Sequence, residues 1–353
     1  MSVALGSNDL RRASRAAAGG VFIHSAWRSA GTWIWNEFRA DPRTMAFYEP
    51  LHEELGTLSL ERIDQTNPES WNSGHPRTEP YFREYALLLP RKGAGVAGYD
   101  RSFAFERYFM DDDEIAPGLR HYLTGLRHAA HGRGKLPVFK FCRSLGRAGW
   151  MRRQFPDAVH MVVIRDPVSQ WVSCWKQAEN GIPYFLTSPV ALLAANLEEP
   201  LVGAVVDALH LRIAGLRRAT YAKTYAQSEH FVERATADTI YRSSLAYWLV
   251  GALAAMPHAD LVIDADRLAS SPQYRAALER DVTERTALEV DFGSARSART
   301  AREPAVKGVD IDAAHATALA FCESLGTAVS NPRVAAAART ACEKLCSSPF
   351  ARG

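Results

Sequence analysis

A permanent cation, two small residues and a hydroxyl lie close together in the segment HSAWRSAGTW, residues 24–33. Arg28 supplies the charge, Ala30 and Gly31 let a ligand approach the backbone closely, and Thr32 adds a hydroxyl. The segment follows the apolar run 20–23 and precedes a predicted helix over 34–39. A strand–turn–helix unit of this kind presents backbone N–H groups to an anion, although simple packing of small residues produces the same pattern.

An arginine and a serine stand eight residues apart in a second segment, VVIRDPVSQWVSCW, residues 162–175. Arg165 ends a predicted buried strand, at the edge where ligands bind in open α/β sheets. Ser173 follows within a helix that Asp166 is expected to cap, with Pro167 at its first position. The pair could hold a second phosphate. In the alternative interpretation, Arg165 forms a salt bridge with a nearby carboxylate, and Ser173 has no function.

The elements that must position these residues alternate along the chain. Strands are predicted near residues 20–23, 137–142, 157–165 and 259–268, and helices lie between them. Residues 41–80 are predicted to be mostly loop, and residues 181–256 and the last 80 residues mainly helical. This order predicts an α/β protein in which helices cover both faces of a parallel sheet. We expect a flexible leader over 1–19 and one domain over 20–353 with helical insertions and a helical C-terminal region.

The composition is that of an ordinary globular protein, with 353 residues, 47% hydrophobic, and a net charge of +3. The small charge predicts no nucleic-acid partner. Five scattered cysteines without a CxxC pair favour reduced thiols, and no secretory signal is visible before residue 20. The longest apolar stretch, residues 244–256, is shorter than the roughly 20 residues of a membrane span. A cytoplasmic protein without a transmembrane segment is therefore expected.

The two segments together resemble the cofactor signature of sulfotransferases that use 3′-phosphoadenosine 5′-phosphosulfate (PAPS). In that family the first motif reads Pro-Lys/Arg-Ser-Gly-Thr-Thr-Trp, and residues 27–33 of this chain are Trp-Arg-Ser-Ala-Gly-Thr-Trp. The second motif is an arginine, then Asn/Asp-Pro, then a serine eight residues after the arginine, as in Arg165 and Ser173. The similarity covers about residues 20–275. The departures are Trp27 for proline and Ala30-Gly31 for Gly-Thr.

The resemblance implies a P-loop-NTPase-like sulfotransferase fold, PAPS as the donor, its bisphosphate product PAP, and no metal. It implies that Arg165 and Ser173 hold the 3′-phosphate and that Trp33 stacks on the adenine. A third contact is expected at Lys307 and Gly308, which only weakly resemble the family's later Arg-Lys-Gly loop. The residues expected around the 5′-phosphate and the leaving oxygen are Arg28, Ser29, Ala30, Gly31, Thr32 and Trp33.

The resemblance also points to the residues that activate the acceptor. Carbohydrate sulfotransferases carry a Glu-Pro-Leu like that of Glu49 in FYEPLHEEL, so Glu49 is the candidate base, with His52 as an alternative. An acidic loop in solvent would explain the same residues. Lys140 and Arg143 are candidate substrate-binding residues, or else surface cations at the sheet edge. A hydroxyl of a glycan, glycolipid or natural product is the expected acceptor.

Two other classes of function remain open on the sequence. A nucleotide kinase or ATPase of the P-loop class normally has a lysine directly after the glycine, and here Thr32 follows Gly31. A non-catalytic module that binds a nucleotide or a polyanion would use the same two segments without a base.

Overall fold

The computed structural model describes residues 19–65, 79–295 and 307–349, so the expected leader over 1–19 lies outside the described residues except for Gly19. Five parallel strands form one sheet in the order β2–β3–β1–β4–β5. This confirms the predicted α/β class with a central parallel sheet. The strands are β1 (Val21–Ser25), β2 (Thr44–Tyr48), β3 (Leu136–Phe141), β4 (Val159–Ile164) and β5 (Leu261–Asp264).

Helices connect the strands and form most of the rest of the described chain. The helices α1 to α7 are α1 (Gly31–Arg39), α2 (Leu60–Gln65), α3 (Pro117–His131), α4 (Ala148–Gln154), α5 (Pro167–Glu179), α6 (Tyr184–Ala195) and α7 (Pro200–Ala208). The later helices are α8 (Tyr221–Arg234), α9 (Ala237–Ala255), α10 (Ala265–Ser270), α11 (Pro272–Thr286), α12 (Ile311–Ala328) and α13 (Pro332–Cys346). The predicted caps of α5 are confirmed, because Asp166 accepts a hydrogen bond from the Ser169 amide and Pro167 opens the helix.

Side chains from β4 show that both faces of the sheet are covered. Val162 and Ile164 join one apolar core, whereas Met161 and Val163 join the other. This alternation is expected when consecutive side chains of a strand point to opposite faces. The apolar stretch 244–256 lies mostly in α9 and is largely buried in the first of these cores.

Apolar helices raise the question of a membrane span. Within the described ranges, no single helix is long and apolar enough to cross a membrane. Helices α6 and α7 pass that test only as a pair, and they are bent by 117° where they meet.

The connections place a crevice beside the central strand. From β1 the chain proceeds to β2 on one side of the sheet, and from β4 it proceeds to β5 on the other side. The carboxyl ends of β1 and β4 therefore flank a point where the winding direction reverses. Ligands of open α/β sheets bind at such points. The segments with Arg28 and Arg165 follow these two strand ends.

The prediction of loop over residues 41–80 is wrong for Thr44–Tyr48, which form the edge strand β2. All five residues are buried, because aromatic side chains cover the strand. Phe47 packs against Tyr85 and Tyr48 stacks on Tyr81, with ring centroids 5.2 and 4.7 Å apart. The Pro-, Glu- and Thr-rich composition of the segment concealed this short strand. Its carboxyl end delivers Glu49 to the same sheet edge as the other candidate residues.

Buried hydrogen bonds tie β1 and β4 to the loop that follows β3. Ser144 Oγ lies 2.7 Å from His24 Nδ1, His24 Nε2 lies 3.1 Å from His160 Nδ1, and His160 Nε2 lies 3.2 Å from the carbonyl oxygen of Phe155. With both imidazoles neutral, His160 donates to this carbonyl oxygen, His24 donates to His160, and Ser144 donates to His24. Burial lowers the pKa of both, that of His160 to about 4.

Acidification is expected to destabilise the fold through these two imidazoles. In the unfolded chain each takes up a proton below its ordinary pKa of 6.5, whereas in the fold His160 stays neutral down to about 4. The contribution of the two neutral imidazoles to the free energy of unfolding should therefore be complete above pH 6.5. It should fall between pH 6.5 and 4, by on the order of 1.4 kcal/mol per pH unit and group. Urea unfolding across this window measures the slope. The His24→Phe/His160→Phe variant should show a shallower slope, and an unchanged slope would contradict the assignment.

Candidate active site

The turn between β1 and α1 has an unusual backbone conformation. Arg28 and Ala30 both adopt left-handed conformations, with φ of 63° and 71°. Ser29 stabilises the turn by donating from Oγ to the carbonyl oxygen of Ala26 over 2.7 Å. The first amides of an α-helix have no acceptor within the helix, and Ala30 provides no side-chain cap for α1. The turn can therefore donate N–H groups to an anion at the positive end of α1.

Gly31 is required at the start of α1 by two neighbours. A Cβ at this position would overlap the hydroxyl of Ser25 and would lie 3.2 Å from Cε of Lys140. Position 31 is thus too crowded for a Cβ. Alanine is accommodated at the preceding position, in the left-handed conformation. This crowding gives a physical reason for the order Ala-Gly in the turn.

Arg165 and Ser173 both contact the turn, from the end of β4 and from α5. Arg165 donates from Nη1 to the carbonyl oxygen of Arg28 over 2.8 Å. Arg28 in turn donates from Nε to Ser173 Oγ over 3.0 Å, and burial lowers its pKa. Arg165 Nε also lies 4.0 Å from a carboxylate oxygen of Asp266, which follows β5. The two segments singled out in the sequence thus form one polar cluster with two guanidinium groups.

Glu49 lies beside this cluster, at the end of β2, with its carboxylate almost completely buried. Its Oε1 lies 2.5 Å from Lys140 Nζ, and its Oε2 accepts from the Cys142 amide over 2.9 Å and lies 3.4 Å from Arg143 Nη1. The backbone of Glu49 has a φ of 46°, a left-handed conformation that costs energy in a residue other than glycine. Its amide donates to the Lys140 carbonyl oxygen over 2.8 Å, which holds this conformation in place.

The charges around Glu49 determine its protonation. Burial alone would raise the pKa of this carboxylate, but Lys140 and Arg143 outweigh burial and lower the pKa to about 2. Burial would lower the pKa of Lys140, but the neighbouring Cys142, Glu49 and Tyr48 outweigh burial and raise it. Glu49 is therefore ionised at neutral pH, which a general base requires. In this arrangement it is also a weak proton acceptor, because two cations stabilise its charged form.

Lys140 and Arg143 are both buried, so the alternative that they are surface cations is wrong. Arg143 donates from Nη2 to Glu53 over 2.7 Å and to the Tyr184 hydroxyl over 2.8 Å. Its guanidinium also lies over the ring of Phe105, 5.0 Å from the centroid. Tyr184 and Phe105 are half-buried, so they border the solvent side of Arg143. Sequence reasoning missed both, because neither belongs to a recognisable motif.

His52 is close to Glu49 but is poorly suited to accept a proton. Its Nδ1 accepts a hydrogen bond from the Glu54 amide over 3.2 Å and caps a short 3₁₀ helix, Glu53–Gly56. Burial, and then the charge of Arg143, lowers its pKa to about 4. The imidazole therefore has a structural role in the described contacts. The pKa values do not favour Glu49 over His52, so Glu49 stays the first candidate base only through the resemblance at residues 49–51.

Trp33 borders a cleft next to the turn. The cleft has a volume of about 260 Å³. At the edge of the cleft, Trp33 packs against Phe292, with ring centroids 5.7 Å apart. A flat, apolar group could occupy this space while remaining close to the start of α1. The cleft is lined by Ala30, Trp33, Ala265, Leu268, Ala269, Ser294 and Ala295.

Lys307 and Gly308 lie at the start of the last described segment, and both are exposed. Within the described ranges we find no hydrogen bond or ion pair from either residue to the turn of residues 28–33. The third contact expected at these residues therefore stays a prediction. In the same ranges no group of three or more His, Cys, Asp or Glu side chains is placed to share a metal ion.

Comparison with known proteins does not identify a relative of this chain. Neither a scan against protein-family models nor searches of curated proteins and of solved structures finds a match. The fold and the site define an α/β protein in which an arginine-containing turn after β1 lies next to a buried carboxylate.

Substitution of the two small residues of the turn is expected to have different effects on the free energy of unfolding. Gly31→Ala should destabilise the protein by on the order of 1–3 kcal/mol, since its Cβ overlaps Ser25 and approaches Lys140. Ala30→Gly should cause no loss, because glycine accepts the φ of 71° without strain. Urea unfolding of both variants makes the comparison. A Gly31→Ala variant as stable as the wild type would contradict the crowding described here.

Proposed function

We propose that this protein is a sulfotransferase that moves a sulfuryl group from PAPS to a hydroxyl of an acceptor, in a P-loop-NTPase-like sulfotransferase fold. The observation that carries the proposal is the contact of Arg165 with Arg28, together with that of Arg28 with Ser173. These contacts join the two segments that resemble the PAPS signature. A bisphosphorylated nucleotide needs anion sites for both of its phosphate groups, and two adjacent guanidinium groups suit that requirement.

The residues of the turn suit the end of the donor at which the reaction occurs. The amides at the start of α1 and the guanidinium of Arg28 would stabilise the negative charge that grows on the leaving phosphate. Arg165 and Ser173 would hold the 3′-phosphate, and the cleft beside Trp33 would hold the adenine. These roles need no lysine after Gly31, where P-loop kinases and ATPases normally have one.

The chemistry resembles phosphoryl transfer, in which positioning and charge stabilisation provide most of the catalysis. The bond between sulfur and the phosphate oxygen breaks, a bond between sulfur and the acceptor oxygen forms, and PAP is the leaving group. Glu49 would accept the proton of the acceptor hydroxyl. Lys140, whose ammonium lies 2.5 Å from Glu49, would face the transferred group as a second cation.

The acceptor is proposed to be a carbohydrate or a similar polyhydroxylated molecule, in line with the Glu-Pro-Leu at residues 49–51. Half-buried aromatic side chains near Arg143 support this choice, because aromatic faces pack against the apolar faces of sugar rings. Tyr184 contacts both Arg143 and Tyr225, with the two tyrosine ring centroids 6.3 Å apart.

Transfer from radiolabelled PAPS to a panel of sugars, glycolipids and phenols tests the proposed reaction. Arg165→Ala should raise the KM for PAPS by at least about tenfold, because it removes a charged contact to a phosphate. Glu49→Ala should lower kcat by about a hundredfold or more without raising that KM, because it removes the base.

Arg91→Ala is the matched control, since Arg91 is an exposed arginine that lies outside the site. It should leave both constants unchanged. Failure to transfer sulfate to any acceptor, combined with binding of PAP, would favour a nucleotide-binding module. Turnover of ATP with Mg²⁺ that needs no sulfate donor would favour a kinase or ATPase.

A further inference from the structure

Lys140 lies between the buried carboxylate and the start of α1. Its Nζ contacts Glu49 Oε1 at 2.5 Å, and both side chains are only 3% exposed. Its Cε lies 3.2 Å from the position that a Cβ of Gly31 would occupy, so the side chain passes directly below the turn. The Nζ also lies 4.9 Å from the centroid of the Tyr48 ring, whose hydroxyl is 3.4 Å from Thr32 Oγ1. The ammonium is therefore close to both Glu49 and the anion-accepting amides.

Of the two partners in this ion pair, Lys140 has the more adjustable charged group, although its Nζ also donates to Cys142 Sγ over 2.9 Å. The Glu49 backbone is fixed by its amide, which donates to Lys140, and by its carbonyl, which accepts from His52 over 2.9 Å. Its carboxylate is fixed by the Cys142 amide. Lys140 instead carries its charge on a flexible four-carbon chain with rotatable donors.

We propose that Lys140 is a positioning residue that links donor binding to activation of Glu49. This inference rests on the proposed function. Before the donor binds, Lys140 neutralises Glu49 and keeps it a weak base. An anion at the start of α1 attracts the ammonium, and the ion pair with Glu49 weakens. The carboxylate then accepts a proton more readily, so the base becomes effective only when the donor is in place.

The other groups around Glu49 set how far its basicity can rise. Arg143 remains beside Oε2 at 3.4 Å and continues to lower the pKa of Glu49. The Cys142 thiol stays neutral, because burial raises its pKa to about 11. The titratable and charged groups that surround Glu49 are Tyr48 on β2, Lys140 on β3, Cys142 and Arg143 after β3, His52 and Glu53 after β2, and Tyr184 on α6.

Thermodynamic linkage gives this inference a test that needs no turnover. If a bound anion weakens the contact between Lys140 and Glu49, loss of that contact must strengthen anion binding by the same factor. Glu49→Gln should therefore tighten the binding of PAP by at least about fivefold. Loss of a charge that simply repels the anion would also tighten binding, so the effect must be measured both with and without Lys140.

Titration calorimetry with PAP should be carried out on the full chain for the wild type, Glu49→Gln, Lys140→Met and the double variant. Glu49→Gln should tighten binding, Lys140→Met should weaken it, and in the Lys140→Met background Glu49→Gln should change the affinity by less than about twofold. Glu53→Gln is the matched control, because Glu53 pairs with Arg143 and has no contact with Lys140 among the described ion pairs. It should leave the affinity nearly unchanged.

Equal tightening by Glu49→Gln with and without Lys140 would overturn the inference, because the effect would then be through-space repulsion of the anion. An unchanged affinity in Glu49→Gln would also overturn it. Absence of PAP binding to the wild type would instead reject the proposed function itself. A crystal structure of the wild type with PAP provides a second test if Lys140→Met does not fold. Nζ should then contact a phosphate oxygen, and a retained 2.5 Å contact with Glu49 would overturn the inference.

Discussion

The hydrogen bond from Arg165 to the carbonyl oxygen of Arg28 is the constraint on which the candidate site depends. It fixes the distance between segments that lie 137 residues apart in the chain. The parallel sheet makes this contact possible, because β1 and β4 are neighbours and their carboxyl ends meet at the same edge. Without the contact, the turn and the end of β4 would be two separate cationic loops. With it, they form one surface that carries two guanidinium groups, as the proposed binding of a bisphosphorylated nucleotide requires.

Charge compensation is the second feature that shapes the site. Glu49 is buried against Lys140 and Arg143, and Arg143 also pairs with Glu53. Two carboxylates thus face two cations. All but the partly exposed Glu53 have little contact with water, so their electrostatic interactions are stronger than at the surface. Breaking one buried pair leaves a charge that neighbouring groups must compensate. In the proposed mechanism, an anion bound at the start of α1 would weaken the charge compensation of Glu49 and so connect donor binding to chemistry at that carboxylate.

The sequence predicted the sheet, the turn and the Asp166–Pro167 helix start, because each rests on local signals such as periodicity, small residues and capping. It also indicated Arg165, Ser173 and Glu49 individually. It did not predict that Lys140 lies below Gly31, since this depends on the register of β3 against β1. It missed β2, whose burial comes from aromatic residues far along the chain, and the contacts of Tyr184 with Arg143. Such long-range packing has no local pattern.

Calorimetric titration of the wild type and of Arg165→Ala with PAP and with adenosine 5′-phosphate tests the central claim most directly. The two nucleotides differ only in the 3′-phosphate. The wild type should bind PAP at one site and much more tightly than adenosine 5′-phosphate, and Arg165→Ala should lose most of that difference while retaining its affinity for adenosine 5′-phosphate. The account would be contradicted if the wild type bound PAP and adenosine 5′-phosphate with equal affinity. It would also be contradicted if Arg165→Ala weakened the binding of both nucleotides equally.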